Sequence, residues 1–485
     1  ESCLVGSEMC IRDSSQLEPR ISMNRRELLK ATSSGVPYLA FAALAHAEAK
    51  KETKAGPLAP KEPHFAPRAK RVIFLSMRGA PSHVDLFDYK PQLNKDDGKP
   101  GRGGRGGAKL LGSPWEFKQH GKSGLWMSEL VPQIAGHADD ICLLRAMHTD
   151  IPNHPQAQTQ MHTGNFQFVR PSLGAWTLYG LGTENSDLPG FVALGAVNGT
   201  ASHFGSAFLP AVYQGARFGV PSPARFSGRF SRRTPRPPVP NIKNPELDRD
   251  LQRMQLDYVQ GLNKAKLARD GHAPGVEGVI EAFELGFRMQ DTLPELMDIS
   301  GEPKETLEKY GVGRGGGIND GFAKQCLLAR RFAEAGVRFV ELSHGNWDHH
   351  RNLANDLPAR CAEIDQPIAA LLADLKRRDM LRDTLVVWAG EFGRTPHGQG
   401  GDGRDHNAKG YTTWMAGGGV KSGFSYGSTD DHGYEAIDGR VHTHDWHATI
   451  LHLLGLDHER LTYRHAGRDF RLTDVHGNVA EDILA

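Results

Sequence analysis

Six short apolar runs along the chain have the length and composition of buried β-strands. They are rich in Val, Ile, Leu and aromatic residues, and they lie at residues 71–75, 141–144, 191–194, 337–342, 384–388 and 411–416. Runs of this length, bounded by turn-forming residues, are typical of strands that are buried on both faces of a sheet. The hydrophobic pattern therefore predicts a central sheet rather than a helical bundle.

Apolar residues with helical spacing separate several of these strands. The 3.6-residue period predicts helices at residues 245–267, 276–290, 322–334 and 364–376. The order strand, helix, strand across residues 337–388 is a βαβ unit, which implies parallel pairing. We therefore predict an α/β fold with a mostly parallel central sheet and helices on both of its faces.

Carboxylates and histidines stand next to the predicted strands. Asp348 and His350 follow the strand at 337–342, Glu391 follows the strand at 384–388, and His406 precedes the strand at 411–416. Ligands of open α/β sheets collect at the carboxyl ends of the strands, so these residues are candidates for one site. Asp348 and His350 are two residues apart, and an extended chain would direct both to one side and His349 to the other.

A mixed nitrogen and oxygen ligand set of this kind suits a divalent metal. Asp348, His350 and His406 fit zinc first, with manganese or calcium as alternatives, and Glu391 could bind a second ion. One or two such ions would clamp an anionic group and stabilise attack at phosphorus or sulfur. We expect Asp405 to be a ligand or a partner of His406, and the Gly-rich stretch at 392–404 to be a flexible loop.

Two other polar segments are expected to have structural roles rather than roles in a binding site. His444 and His447 stand at a predicted helix start that Thr443 or Asp445 can cap, so capping and packing are their expected roles. The Arg- and Pro-rich segment 217–240 is expected to be an exposed loop, with a basic lip for an anionic substrate as the alternative. Ser82 lacks the G-x-S-x-G turn of a nucleophile elbow.

Composition excludes some classes of partner. The chain of 485 residues has 58 basic and 57 acidic residues and a net charge of +1, so bulk charge gives no case for nucleic-acid binding. Cys142, Cys326 and Cys361 have no CxxC spacing and are expected to be buried thiols. After residue 47 no run approaches eighteen apolar residues, so no stable membrane span is expected.

Residues 1–70 have the pattern of an export signal and a linker rather than of elements of the folded domain. Residues 1–22 are interpreted as a non-native leader. Residues 23–47, with the pair Arg25 and Arg26 and the ending Ala45-His46-Ala47, resemble a twin-arginine signal peptide. Residues 48–70 are expected to be a linker. The twin-arginine export machinery would then be a partner, and the protein would be periplasmic or secreted.

Several ordered motifs together resemble one protein family. They include GAPSHVDLFDYKP, HTDIPNHPQAQTQMHTG, WDHH, GEFGRTP, GRDHN and HATILHLLGLDHERLTYRHAGRDFRLTDVHG. From about residue 71 to the end, the chain resembles the secreted bacterial family called domain of unknown function 1501. That resemblance implies one domain at 71–485, with a loop-rich insertion near 197–275. The family is similar in fold to the alkaline phosphatase and sulfatase superfamily, which implies a metal-dependent hydrolase site at the strand ends.

The resemblance also implies catalytic roles. The segment DIPNH is similar to the TFPNH segment of nucleotide phosphodiesterases, in which the threonine is the nucleophile and the asparagine binds the oxyanion. Asp150 occupies the threonine position here, with Thr149 just before it, and Asn153 is retained. Asp150 or Thr149 would therefore be the nucleophile or a ligand, and Asn153 would bind the oxyanion.

Other superfamily positions differ in this chain. The usual Asp-Gly after the first strand reads Arg78-Gly79, so Asp85 or His83 would have to supply the metal ligand. The sulfatase motif CxPSR is absent, which argues against a formylglycine route. The leading hypothesis is an exported, metal-dependent hydrolase of an anionic phosphate or sulfate ester. The alternative is a catalytically degenerate member of the fold that acts as a cell-surface binding protein.

Overall fold

The computed structural model describes residues 56–101, 108–195, 201–219, 239, 242, 244, 246–271, 273–315 and 318–485. The predicted leader, the twin-arginine signal and the first part of the linker lie outside these residues, as does most of segment 217–240. The remaining linker residues bond to the domain: the backbone N–H of Lys61 donates to Leu181 O, and that of His64 to Gly455 O.

Short strands and helices alternate along the described chain. The strands are β1 (Arg71–Met77), β2 (Phe117–His120), β3 (Leu125–Ser128), β4 (Ile141–His148), β5 (Phe191–Leu194), β6 (Ala216–Phe218), β7 (Phe339–His344), β8 (Thr384–Ala389), β9 (Gly393–Gln399), β10 (Gly403–Asn407), β11 (Tyr411–Ala416), β12 (Phe424–Tyr426), β13 (Ser428–Thr429), β14 (Ala436–Asp438), β15 (Val441–His442), β16 (Tyr463–His465) and β17 (Arg468–Phe470). The α-helices are α1 (His83–Leu86), α2 (Pro91–Lys95), α3 (Pro132–Ala135), α4 (His154–Thr163), α5 (Leu173–Leu181), α6 (Arg249–Asp270), α7 (Pro274–Met297), α8 (Lys304–Tyr310), α9 (Gly321–Glu334), α10 (Leu353–Arg377) and α11 (Thr443–Leu453).

Nine of the strands form the central sheet, in the order β12-β4-β11-β8-β1-β7-β5-β6 with β15 also paired to β4. Every pairing in this sheet is parallel except those of β11, which runs antiparallel to both β4 and β8. The prediction of a mostly parallel sheet is confirmed. As a result, the carboxyl ends of β1, β4, β7 and β8 lie at the same edge as the amino end of β11.

Helices cover both faces of the sheet, as predicted. In β1, Ile73 and Leu75 face a core that includes residues of α9 and α10, whereas Val72 and Phe74 face a second core with Trp176 of α5 and Trp446 of α11. The alternation follows from the two-residue period of a strand. Three cysteines at 142, 326 and 361 are free and buried, in agreement with their apolar surroundings in sequence.

One local prediction was wrong, and one predicted helix is longer than expected. The stretch after Glu391 is not a flexible loop, because β9 and β10 pair as an antiparallel hairpin. Gly400 and Gly401 have positive φ values of 60° and 98° and form its turn, a conformation that glycine adopts without strain. Helix α10 begins at Leu353, well before residue 364, although Pro358 and Pro367 lie inside it. Burial of its apolar residues against α9 offsets the backbone hydrogen bonds that proline cannot make.

Among the described residues, no helix has both the length and the apolar composition that crossing a membrane requires. The predicted insertion near 197–275 contributes α6 and the start of α7.

Candidate metal centre

Four side chains meet at the carboxyl edge of the sheet. His154 is the first residue of α4, just after β4; Asp348 and His350 follow β7; and His406 lies in β10, shortly before β11. One possible ligand atom from each of them lies within 4.8 Å of all the others, so the group could hold a metal ion. We call these four residues the candidate metal centre.

Asp348 Oδ1 is the common point of this group. It lies 3.1 Å from His154 Nε2, 2.9 Å from His350 Nε2 and 3.2 Å from His406 Nε2. The Nε2 atoms of His350 and His406 are themselves 2.9 Å apart. All three imidazoles therefore direct the same ring nitrogen toward one carboxylate oxygen.

The other ring nitrogen of each histidine faces an oxygen acceptor. The acceptors are Glu391 Oε1 for His154 Nδ1 (2.6 Å), the carbonyl oxygen of Pro152 for His406 Nδ1 (2.8 Å), and Gln399 Oε1 for His350 Nδ1. An acceptor at Nδ1 fixes the ring proton there, which leaves a lone pair on Nε2. Two such lone pairs 2.9 Å apart repel unless a cation or a shared proton lies beside them. The donor set and its orientation therefore fit a divalent metal ion.

Arg394, at the start of the β9–β10 hairpin, holds Asp348 in place. The Arg394 side chain is 1% exposed, and its guanidinium donates to Asp348 Oδ1 (2.6 Å) and to the carbonyl oxygens of Ala80 (2.9 Å) and Gly79 (2.5 Å). Burial lowers its pKa from the ordinary value, against the raising effect of Asp348. Arg394 was not among the residues predicted from the sequence, although it stands in the motif GEFGRTP.

Glu391 lies behind His154 rather than inside the group. Its Oε1 accepts hydrogen bonds from the Gly79 backbone N–H (2.9 Å) and Gln158 Nε2 (3.0 Å) in addition to the contact with His154. Its side chain is buried, and its Oε2 has no hydrogen-bond partner in the described structure. The carboxylate that was predicted as a metal ligand thus orients one of the candidate ligands.

Charge interactions shift the pKa values in the group in opposite directions. Burial alone would raise the pKa of Asp348, but hydrogen bonds from His154, His406 and Arg394 outweigh it and hold this pKa well below its usual range. Burial alone would lower the pKa of His154, but the carboxylates of Asp348 and Glu391 outweigh it and raise this pKa to about 9. The site therefore favours positive charge beside Asp348.

The residues predicted as catalytic lie on the loop between β4 and α4. Thr149 is buried, and its hydroxyl donates to Gln160 Oε1 (3.0 Å). Gln160 Nε2 in turn donates to Asp150, whose Oδ1 lies 3.3 Å from His442 Nε2. Asn153 is exposed and makes no side-chain bond to the start of α4. None of these predicted residues belongs to the four-residue group.

Asp85, the other predicted metal ligand, also lies outside the group. It is fully buried, and its two oxygens accept hydrogen bonds from Arg404 Nε (2.7 Å) and Nη2 (2.9 Å). The alternative, His83, directs Nε2 to the carbonyl oxygen of Gly433 (2.8 Å). Asp405 lies beside the group, with Oδ1 4.0 Å from His350 Nδ1.

His154 is the ligand candidate that sequence reasoning did not assign. It is remote along the chain from the other three members of the group, yet its Nε2 lies 3.1 Å from Asp348 Oδ1 in the folded protein. The one local signal is its place shortly after a predicted strand, in the segment DIPNH. That position alone does not distinguish a ligand from a residue that simply starts a helix.

Comparisons with known proteins complete this description. A model of the family described as "Protein of unknown function (DUF1501)" matches residues 69–484. A comparison with curated proteins finds no match.

Solved structures with a similar arrangement include three that differ in their named activities. The PsFucS1 sulfatase from Pseudoalteromonas sp. is 13% identical over 86% of this chain and 72% of its own, with a TM-score of 0.37. The lipoteichoic acid synthase LtaP from Listeria monocytogenes is 9% identical over 88% and 80%, with a TM-score of 0.35. A TAB5 alkaline phosphatase mutant is 14% identical over 80% and 99%, with a TM-score of 0.34. At these scores and identities the similarities carry no argument about activity.

Proposed function

The chain belongs to the family described as protein of unknown function (DUF1501), and we propose that it is a metal-dependent hydrolase of phosphate or sulfate esters. One observation carries the proposal. Three histidine Nε2 atoms converge on Asp348 Oδ1, while each Nδ1 faces an oxygen acceptor. A histidine needed only for packing does not require both of its nitrogens to be arranged in this way.

His154, Asp348, His350 and His406 would hold the ion. Three imidazoles and one carboxylate favour zinc over the alternatives manganese and calcium, because those two ions prefer sets richer in oxygen ligands. A divalent ion, when bound, would polarise an ester oxygen as a Lewis acid and lower the pKa of a bound water.

The protein's own residues would orient the ligands and keep the site positive. Glu391 fixes the ring of His154, and Arg394 fixes Asp348 through a buried hydrogen bond of 2.6 Å. A divalent cation added beside one ligating carboxylate leaves net positive charge, which suits an anionic ester. The acceptor groups on Nδ1 raise the basicity of the nitrogens that bind the ion.

Asp150, Thr149 and Asn153 remain the candidates for direct roles in catalysis. They belong to the loop that also carries Pro152, whose carbonyl oxygen accepts from His406. Asp150 has a 46% exposed side chain, whereas Thr149 is 8% exposed and donates its hydroxyl proton to Gln160. We therefore propose Asp150 before Thr149 as the group that meets the substrate.

The exported location is also a proposal. It rests on the twin-arginine pattern of residues 23–47, which lie outside the described part of the chain. Partners would then be the twin-arginine export machinery and an anionic ester substrate.

Elemental analysis of the purified protein tests the proposal. We expect one equivalent of metal in the wild-type protein and none in Asp348→Asn, with the fold retained by circular dichroism. His432→Ala is the matched control, because His432 pairs with Asp96 (2.9 Å) outside the candidate metal centre. The metal-loaded protein should hydrolyse aryl phosphate, phosphodiester or aryl sulfate. A folded protein without metal and without turnover would favour the alternative of a binding protein.

A further inference from the structure

Five buried polar atoms on or beside the carboxyl-terminal halves of β1, β7 and β8 have no hydrogen-bond partner in the described structure. They are Ser76 Oγ, Arg78 Nε, Ser343 Oγ, His203 Nε2 and Glu391 Oε2. Buried polar atoms in folded proteins are nearly always bonded to protein or to ordered water. Each of these atoms is therefore available to bond to ordered water or to a polar ligand.

The residues of this set that belong to the strands or directly follow them share one face of the sheet toward its carboxyl edge. Ser76 of β1 lies opposite Ser343 of β7 in the parallel register, and both side chains are buried. Arg78 comes two residues after Ser76, so its side chain leaves the backbone on the same side. Glu391 comes two residues after Ala389, which is the partner of Ser76 on β8.

His203 and Glu341 border this face. The ring of His203 stacks on that of His162 with a centroid distance of 4.2 Å, and His162 Nε2 lies 2.9 Å from Glu341 Oε1. Glu341 precedes Ser343 by two residues on β7. The carboxylate of Glu341 is thus occupied by His162 and forms no ion pair with Arg78.

The backbone of Arg78 bonds to the segment that leads from β7 to Asp348, because its carbonyl oxygen accepts from the Trp347 backbone N–H (3.3 Å). Arg78 Nη2 lies 3.5 Å from the position that a Cβ of Gly345 would take, three residues before Asp348. The next residue, Gly79, donates its backbone N–H to Glu391 Oε1 (2.9 Å). A Cβ on Gly79 would lie 2.8 Å from the backbone nitrogen of Asp348, so β1 and the ligand loop are in close contact.

Arg78 also differs from the other arginines at this edge. Arg394 and Arg404 each bind a carboxylate, those of Asp348 and Asp85 respectively. Arg78 has no ion pair and no side-chain hydrogen bond within the part of the chain that the structure describes. An arginine held half-buried with its donors unused is suited to a bidentate contact with an oxyanion.

The charges agree with this assignment. Asp348, Glu391 and Asp405, whose Oδ1 lies 4.0 Å from His350 Nδ1, contribute three negative charges, and Arg394 and Arg78 contribute two positive ones. With neutral ligating histidines, a divalent cation would give the group a net charge of about +1. A net positive charge favours an anionic phosphate or sulfate ester over a neutral molecule.

We propose that Arg78 binds a non-bridging oxygen of the substrate's phosphate or sulfate group, beside the candidate metal centre. The inference rests on the proposed function and names the residue that recognises the anionic group. Arg78 would be a binding residue in this role, because its contact is with the oxyanion.

Calorimetric titration with inorganic phosphate and with inorganic sulfate tests the inference directly. In metal-loaded protein, Arg78→Ala should weaken binding of the preferred anion about 10- to 100-fold. Arg78→Lys should retain part of the affinity, because lysine keeps the charge but loses the planar fork. Metal content should be unchanged in both variants. Arg71→Ala is the control, because Arg71 lies at the opposite end of β1 and pairs with Asp383 (3.5 Å).

Wild-type affinity for both anions in Arg78→Ala would overturn the inference, and so would a wild-type protein that binds neither anion. If Arg78→Ala does not fold, the anion affinity of Arg78→Lys is the deciding measurement. Undiminished anion binding in Arg78→Lys would contradict a bidentate contact. Absence of metal in the wild-type protein would defeat the proposed function alone. In that case the titration is repeated on the metal-free protein, where Arg78→Ala must still weaken anion binding.

Discussion

Two histidine clusters lie at the same edge of the sheet, and they use their ring nitrogens differently. In the candidate metal centre, the Nε2 atoms of three histidines face one carboxylate oxygen. In the second cluster, which we call the α11 cluster and which consists of His442, His444, His447 and His476, the nitrogens bond mainly to backbone. His444 Nε2 lies 2.8 Å from Gly164 O, and His447 Nε2 lies 2.7 Å from Met161 O.

The start of α11 accounts for further contacts of the α11 cluster, while His442 Nε2 lies 3.3 Å from Asp150 Oδ1. His442 Nδ1 accepts from the His444 backbone N–H (3.2 Å), and Asp445 Oδ2 accepts from the His442 backbone N–H (2.8 Å). His442, rather than Thr443, is therefore the cap residue, and Asp445 completes the capping box. The number of histidines therefore does not identify a metal site. A candidate metal site is identified by ring nitrogens from several histidines that are directed toward one point.

Replacing one histidine of each cluster with alanine should give the largest difference, and that difference is in metal content. His406→Ala should abolish stoichiometric metal binding, because it removes one of the four converging ligand atoms. His444→Ala should leave metal content unchanged, because the Nε2 of His444 bonds to a carbonyl oxygen. Elemental analysis of both folded variants measures the difference. Loss of metal in His444→Ala would show that the α11 cluster takes part in the site.

The free energy of unfolding should depend more on the α11 cluster than on the candidate metal centre. His447 is fully buried, so His447→Ala leaves a cavity and an unpaired Met161 carbonyl, at a cost of about 2–4 kcal/mol in the free energy of unfolding. His406→Ala in metal-free protein should change that free energy by less than about 1 kcal/mol. Urea denaturation measures both. Equal losses in the two variants would remove the distinction between a packing cluster and a binding cluster.

The acceptors on Nδ1 provide a finer test of the candidate metal centre. Gln399→Leu removes the acceptor that faces His350 Nδ1 but no metal ligand. We expect the metal dissociation constant to rise about 10-fold, because the imidazole loses its fixed tautomer and orientation. Competition with a chromophoric chelator measures it, with Gln366→Leu on α10 as the control. An unchanged constant would mean that Gln399 does not orient the ligand.

Lowering the pH should destabilise the folded protein through His447, the buried neutral histidine of the α11 cluster. Burial lowers the pKa of His447 to about 3, whereas the unfolded chain has the ordinary value near 6.5. Between these values the unfolded state binds more protons, so stability falls as pH falls, by at most about 1.4 kcal/mol per pH unit for this group. Denaturation of metal-free wild-type protein and His447→Gln between about pH 7 and pH 5 should give the shallower slope for the variant. Identical slopes would contradict the shift.

Local sequence patterns predicted six of the nine strands of the central sheet and the four longest helices of the described chain. The apolar runs at 191–194 and 411–416 are β5 and β11, and the helical period at 322–334 matches α9 to within one residue. These elements follow from local composition because a buried strand or an amphipathic helix must display its apolar residues with a fixed period. The hairpin β9–β10 was missed, since its glycines and charged residues give no apolar run.

The candidate ligands Asp348, His350 and His406 could be proposed because each stands beside a recognisable strand. His154, Arg394 and Arg78 could not be assigned in this way, since their roles depend on contacts between distant segments. The same holds for Asp85, which follows β1 in the short helix α1 but is neutralised by Arg404. A carboxylate in sequence does not reveal which charge will lie beside it.

The sequence by itself determined the α/β class, the parallel βαβ unit and the family, because periodicity and ordered motifs are local properties of the chain. The tertiary structure alone decided which side chains share an edge and which of their atoms remain free. Strand order brings β4, β7 and β8 to one edge, and the antiparallel β11 returns His406 to it. A binding site depends on distances of a few ångströms between segments far apart in the chain, and only packing sets those distances.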